Sequence, residues 1–213
     1  MLDVVRSNTQ ELWQERVQFS DWFLQSEYQS GNVIFLDETG FKVTMRRRAS
    51  RTRRGEEAQK EVAAIKSRNI TVMAAINYSG LTHYKVLSGN GNGEAFVLYL
   101  TELLDNLVEE NRPYTLVMDF VAFHRIPALG ELVNSRGCEI KFLPAFSPFF
   151  NPIENIFSQW KYWVRSFEPK NEAELREAMT RARERISSEH CSNSFRHADS
   201  NCQKCIQGER NLY

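Results

Sequence analysis

The chain has little of what would place it in several broad classes. No apolar run approaches the ~20 residues that a membrane-spanning helix needs, so no bilayer span is expected. The first residues, MLDVVRSNTQELWQERVQF, mix acids, bases and amides and contain no apolar signal-peptide segment. An intracellular protein is expected, nuclear if the host is eukaryotic. There is no excess of charge of either sign: 27 basic residues balance 27 acidic ones. Attraction to a polyanion would have to come from a local patch. Four cysteines are too few and too unevenly placed for a disulfide framework, since Cys191, Cys202 and Cys205 crowd the C-terminal end and Cys138 stands alone. Cys202 and Cys205 have the spacing of half a zinc site, with His190, Cys191 and His197 nearby. A second CxxC or HxxxH is missing, which favours incidental residues over a metal centre. The GNGNG run at 89–93 lacks the Lys-Ser/Thr of a phosphate-binding loop and reads as a flexible connection.

What is present supports one sizeable core, because 42% of the 213 residues are hydrophobic. Residues 8–27 read as an amphipathic helix capped by Asn8 or Thr9, with Leu12, Trp13, Val17, Phe19, Trp22, Phe23 and Leu24 at roughly helical spacing. VIFLD (33–37) reads as a buried strand, Glu38-Thr39-Gly40 as a turn, and FKVTM (41–45) as its hairpin partner. NITVMAAIN (69–77) and LTHYKVLS (81–88) form a second hairpin about Tyr78-Ser79-Gly80. A helix is expected from about Glu94 to Asn111, a buried strand at TLVMD (115–119), a short helix from Pro127 to Ser135, and a strand at EIKFL (139–143). Asn151 and Pro152 then suit the N-cap and first position of a helix. A charged helix follows over 171–187, with Glu172 and Arg176 one turn apart. Meandering strands followed by alternating strands and helices predict an α/β fold, a mixed sheet with helices on both faces. The chain divides into a linker helix (1–30), a main domain (31–187) and a polar tail (188–213).

Two acids stand out by position. Asp37 closes VIFLD and Asp119 closes TLVMD, where open α/β sheets bind ligands. Turns favour aspartate on their own account, so either acid alone means little. Glu154, third in its helix, could simply close a capping box with Asn151. Together the three can converge on one point, and acids packed closely repel one another unless a cation is present. Magnesium prefers such oxygen ligands. Two such ions can activate a water or a 3′-hydroxyl and stabilise the leaving oxygen in phosphodiester displacement. Residues 120 through 153, 34 in number, separate Asp119 from Glu154.

LDETGF (36–41), VMDFVAFHR (117–125) and LPAFSPFFNPIENIFSQWK (143–161) resemble the catalytic core of mariner-superfamily DDE transposases, in the bacterial insertion-sequence-like branch. The resemblance implies an RNase H-like fold with a five-stranded sheet. It also implies that Asp37, Asp119 and Glu154 are the metal-binding catalytic triad, holding two Mg²⁺ or Mn²⁺ ions. The implied reaction is phosphodiester cleavage at transposon ends and strand transfer into target DNA, by an enzyme working as a homodimer on paired ends. His124 and Asn151 are supporting candidates. Beside such a centre, Arg46, Arg47, Arg48, Arg51, Arg53 and Arg54 read as a DNA-contacting loop, which could also serve as a nuclear import signal, and Lys161 as a phosphate contact. Two features depart from the family. Phe120 stands where it has asparagine, and the first 30 residues hold one helix in place of its helix-turn-helix modules. They leave open an alternative, a catalytically impaired, truncated or domesticated remnant that binds nucleic acid.

Overall fold

The computed structural model describes residues 9–43, 69–87, 92–108, 113–119 and 129–210. Helix α1 (Gln10–Gln25) starts where Thr9 Oγ1 accepts the Leu12 amide at 3.3 Å. Strands β1 (Val33–Phe41), β2 (Ile70–Asn77) and β3 (Gly80–Val86) follow, then helix α2 (Gly93–Val108), β4 (Thr115–Asp119), helix α3 (Leu129–Ser135) and β5 (Glu139–Leu143). Helices α4 (Pro152–Ser166), α5 (Glu172–Arg183) and α6 (Ser188–Ile206) complete the chain. The five strands form one mixed sheet in the order β3-β2-β1-β4-β5. Antiparallel pairing joins β3 to β2 and β2 to β1; parallel pairing joins β1 to β4 and β4 to β5. Among the described residues, no helix is long and apolar enough to cross a membrane.

The pleat sorts side chains onto two faces. Val33, Phe35 and Phe41 of β1, with Val72, Ala74 and Ile76 of β2 and Val117 of β4, face α1, α4, α5 and α6. Ile34, Leu36, Met73, Ala75, Leu116 and Met118 face α2 and α3. Helices therefore cover both faces, as the alternation of elements predicts. On the first face Trp160 is fully buried, donates Nε1–H to the Met179 carbonyl at 2.9 Å, and meets Phe41 and Tyr84 edge-on.

Three expectations change. No hairpin turn stands at Glu38-Thr39-Gly40: β1 runs unbroken through these residues and pairs along that length with β2, Phe41 opposite Ile70, while residues 44 and 45 of the expected partner strand lie outside the described residues. Gly40 sits in strand rather than in a turn, and a Cβ there would come within 2.5 Å of the Asn69 side-chain oxygen, which would have to move. The N-terminal helix is not a mere linker, because Phe19 and Phe23 of α1 belong to the main core. Nor are residues 188–206 a polar tail. Helix α6 buries Cys191, Phe195, Ala198, Cys202 and Cys205 on one face, and Phe195 touches Phe23, Tyr28, Phe35 and Tyr78. Its small, sparse apolar residues conceal that face from a reading of composition alone.

Candidate acid site on the central strands and the start of helix α4

Asp37 and Asp119 are brought side by side by register. Parallel pairing matches Val33 to Thr115, Ile34 to Leu116 and Phe35 to Val117. Two residues beyond the last pair come Asp37 and Asp119, close enough for the Asp119 charge to act on Asp37. Both continue the Phe35/Val117 side of the pleat, the side covered by α4. Asp37 is not the last residue of its strand. It lies two residues past the last pair of the ladder to β4, while the ladder to β2 continues for four more residues. Glu154 approaches from the same face in the first turn of α4, with its side chain exposed; the neighbouring Ile153, Ile156, Phe157 and Trp160 anchor the helix in the core.

Both oxygens of the half-buried Asp37 are engaged. Oδ1 accepts the Glu38 amide at 2.7 Å, and Oδ2 accepts Nδ2 of Asn151 at 3.0 Å. Asn151 occupies the N-cap position of α4, yet its side chain makes no capping bond. The capping-box reading of Asn151 and Glu154 therefore gives way to a cross-link between the start of α4 and the middle of β1. The reason is orientation: the side chain is turned so that Nδ2 reaches the Asp37 carboxyl, distant in sequence, and Oδ1, the atom that would accept a helix amide, meets none. Burial pushes the Asp37 carboxyl up to about 7; the Glu38 amide opposes this, the negative charges of Glu154 and Asp119 add to it, and Asn151 opposes it. Half-buried Lys161, two turns along α4 from Glu154, has its ammonium pKa lowered by burial, while the charges of Glu154 and Asp37 act the other way. It is thus within electrostatic reach of the acids.

All three predicted acids share one electrostatic neighbourhood centred on Asp37. Among the described residues, however, no three His, Cys, Asp or Glu side chains close on a common point as ready-made ligands of one ion. Like-charge repulsion opposes such closure where no cation balances it. The chemistry of the donors suits a hard divalent ion: carboxylate oxygens, one of them on an acid held against its will in a low-polarity setting. Asn151 Oδ1, buried without a hydrogen-bond partner, adds a further oxygen at the same place. Phe120, His124 and the six arginines from Arg46 to Arg54 lie outside the described residues.

Sequence reasoning missed the residues that tie down the segment leading into α4. Arg16 of α1 is buried; its Nε donates to Ser147 Oγ at 2.9 Å and its Nη2 to the Phe146 carbonyl at 2.8 Å. Asn201 of α6 donates Nδ2–H to the Phe149 carbonyl at 2.9 Å. Arg16 could have been found, because it sits on the stripe Leu12, Arg16, Phe19, Phe23, where a cation is out of place. The C-terminal cysteines read as core instead. Cys191, Cys202 and Cys205 are buried, and burial pushes the Cys191 and Cys202 thiols up to about 12, away from the thiolate a metal would need. His190 accepts the Ser187 amide at 3.0 Å in a capping box.

Known proteins can be set beside this geometry. No curated protein matches the sequence. Solved structures do match in fold. A pre-cleavage Mos1 transpososome aligns with a TM-score of 0.79 at 13% identity, over 94% of this chain and 63% of that one. The Mos1 mariner paired-end complex with Mn aligns at 0.77 and 13% identity with the same coverage. The catalytic domain of Mos1 mariner transposase aligns at 0.71 and 12% identity, over 94% of this chain and 95% of that one. The chain thus spans the length of that catalytic domain but about 63% of the transposase in the complexes. The fold is RNase H-like, as the mixed sheet order and this likeness agree. The profile of the DDE superfamily endonucleases matches residues 32–176, which include Asp37, Asp119 and Glu154, and by that match the chain belongs to the DDE superfamily of endonucleases.

Proposed function

We propose that this chain is the catalytic domain of a mariner-like transposase, cutting DNA phosphodiesters at transposon ends and joining the freed 3′-OH to target DNA. The observation that supports this reading is that the charges of Asp119, from the neighbouring parallel strand, and of Glu154, in the first turn of α4, both act on Asp37. Asp37, Asp119 and Glu154 would hold Mg²⁺ or Mn²⁺ as a two-metal site. Bound there, the ions would activate the attacking hydroxyl and stabilise the leaving oxygen. The chain's own part is positional. Asn151 and the Glu38 amide orient the Asp37 carboxylate and favour its ionised form, and the helix start fixes Glu154. Lys161 and the 46–54 arginines would contact DNA phosphates. Two copies would work on paired ends, as the paired-end complexes of Mos1 suggest.

The deciding experiment is Mn²⁺-dependent nicking of duplex DNA carrying the element's end sequence. Wild type is expected to nick, and Asp119→Asn to lose at least 100-fold in rate while melting at the same temperature. A folded wild type that binds DNA without nicking it would instead support the remnant reading.

A further inference from the structure

The segment between β5 and α4 is held by more buried polar groups than a connection needs. Arg16 reaches it from α1, 130 residues away in sequence, and forks between Ser147 Oγ and the Phe146 carbonyl, with its guanidinium carbon 5.2 Å from the centre of the Phe149 ring. Ser147 Oγ in turn donates to the Ala145 carbonyl at 3.0 Å. Phe146 has φ +52°, a left-handed conformation that a bulky residue adopts only when its surroundings impose it, and the residue stays 52% exposed. The strain is therefore not repaid by burying that residue. A few residues on, Asn151 crosses to Asp37, and the turn Pro148–Phe150 delivers the start of α4. A buried guanidinium is costly, and an apolar residue would fill the Leu12–Phe19 stripe more cheaply.

We propose that Arg16 is a positioning residue for the acid site: by fixing Phe146 and Ser147 it sets the path of the segment that places Asn151 against Asp37 and Glu154 at the head of α4. The inference rests on the metal-site reading above, and it makes the aromatic N-terminal helix part of the site's support. Removing a group that orients a ligand typically weakens metal affinity 10–100-fold.

The test uses the full chain with Arg16→Met, Arg16→Lys and Ser147→Ala, measuring Mn²⁺ affinity by calorimetry and amide exchange by mass spectrometry. Arg16→Met is expected to bind Mn²⁺ about 10-fold more weakly. The Phe150 and Asn151 amides, bonded to the Ser147 and Pro148 carbonyls, should exchange faster while the β1–β2 amides keep their protection. Arg16→Lys restores the charge but not the fork, so it should recover only part of the affinity. Ser147→Ala removes one acceptor, provides the readout if Arg16→Met does not fold, and should show the same changes more weakly. Folded variants with wild-type Mn²⁺ affinity and unchanged exchange at Phe150 and Asn151 would overturn the proposal. Should Asp37→Asn leave Mn²⁺ binding untouched, the metal-site reading itself fails, and this inference with it. If Asp37→Asn abolishes binding while Arg16→Met and Ser147→Ala do not weaken it, the positioning role alone fails.

Discussion

At the residue scale the site is governed by the Asp37–Asn151 pair. Asn151 donates to the carboxylate and so favours its ionised form, against burial and against the charges of Glu154 and Asp119. Asn151→Ala removes that support, so the Asp37 pKa should rise above about 7. The acid limb of the nicking pH profile should move to higher pH, and Mn²⁺ should bind more weakly at pH 7. A profile that stays in place would mean the bond has no hold on the site. The same carboxyl makes stability depend on pH. Its folded pKa lies above its ordinary value, so between about 4 and 7 the folded state keeps a proton that the unfolded chain releases. The metal-free protein should therefore lose stability as pH rises through that window. Asp37→Asn should flatten the decline in melting temperature, and Mn²⁺ should raise the wild-type melting temperature more at pH 8 than at pH 5.

At the scale of elements, two helices at opposite ends of the chain close one face of the sheet. Phe23 of α1 and Phe195 of α6 meet over Phe35 of β1, two residues before Asp37. Helix α6 is thus part of the floor beneath the site. Phe195→Ala should cost about 3–5 kcal/mol of unfolding free energy, measured by urea denaturation, as truncation of a fully buried phenylalanine does. A surface change on the same helix, Lys204→Ala, should fall within about 0.5 kcal/mol of wild type. Equal, small effects would mean that α6 is not integral to the core. The exposed Glu172–Arg176 pair at 2.9 Å is, by contrast, a minor contributor.

At the scale of the whole molecule, a chain with no net charge can hold DNA only through local patches. The six arginines from Arg46 to Arg54 are the densest of these. If each meets a phosphate, replacing all six with glutamine should reduce the slope of log affinity against log salt by roughly 5. Binding measured from low to moderate salt would show this, and an unchanged slope would place the DNA elsewhere.

Much of this was legible in the sequence because it is local chemistry. TLVMD and EIKFL are short apolar β-forming runs bounded by breakers, and they are strands with the expected limits. Pro152 marks the start of α4 because its ring suits a first helical turn. The three acids and their order along the chain are also readable, and with them the family. What local chemistry could not decide was partnership between distant residues. Glu38-Thr39-Gly40 has turn-forming residues, but the antiparallel ladder to β2 straightens it into strand. Asn151 has a capping residue's propensity, but the bond its Nδ2 makes to Asp37 leaves its oxygen bonded to no helix amide. Ser188–Ile206 has a polar composition, yet a few small residues and one phenylalanine on one face are enough to bury it. Arg16 could be counted in the sequence, but its partners, 130 residues away, are set by how α1 packs. Residue order alone sets which groups are available and where most strands and helices begin. Which groups meet is settled by packing, because hydrogen bonding and burial depend on distance in space, which sequence separation does not specify.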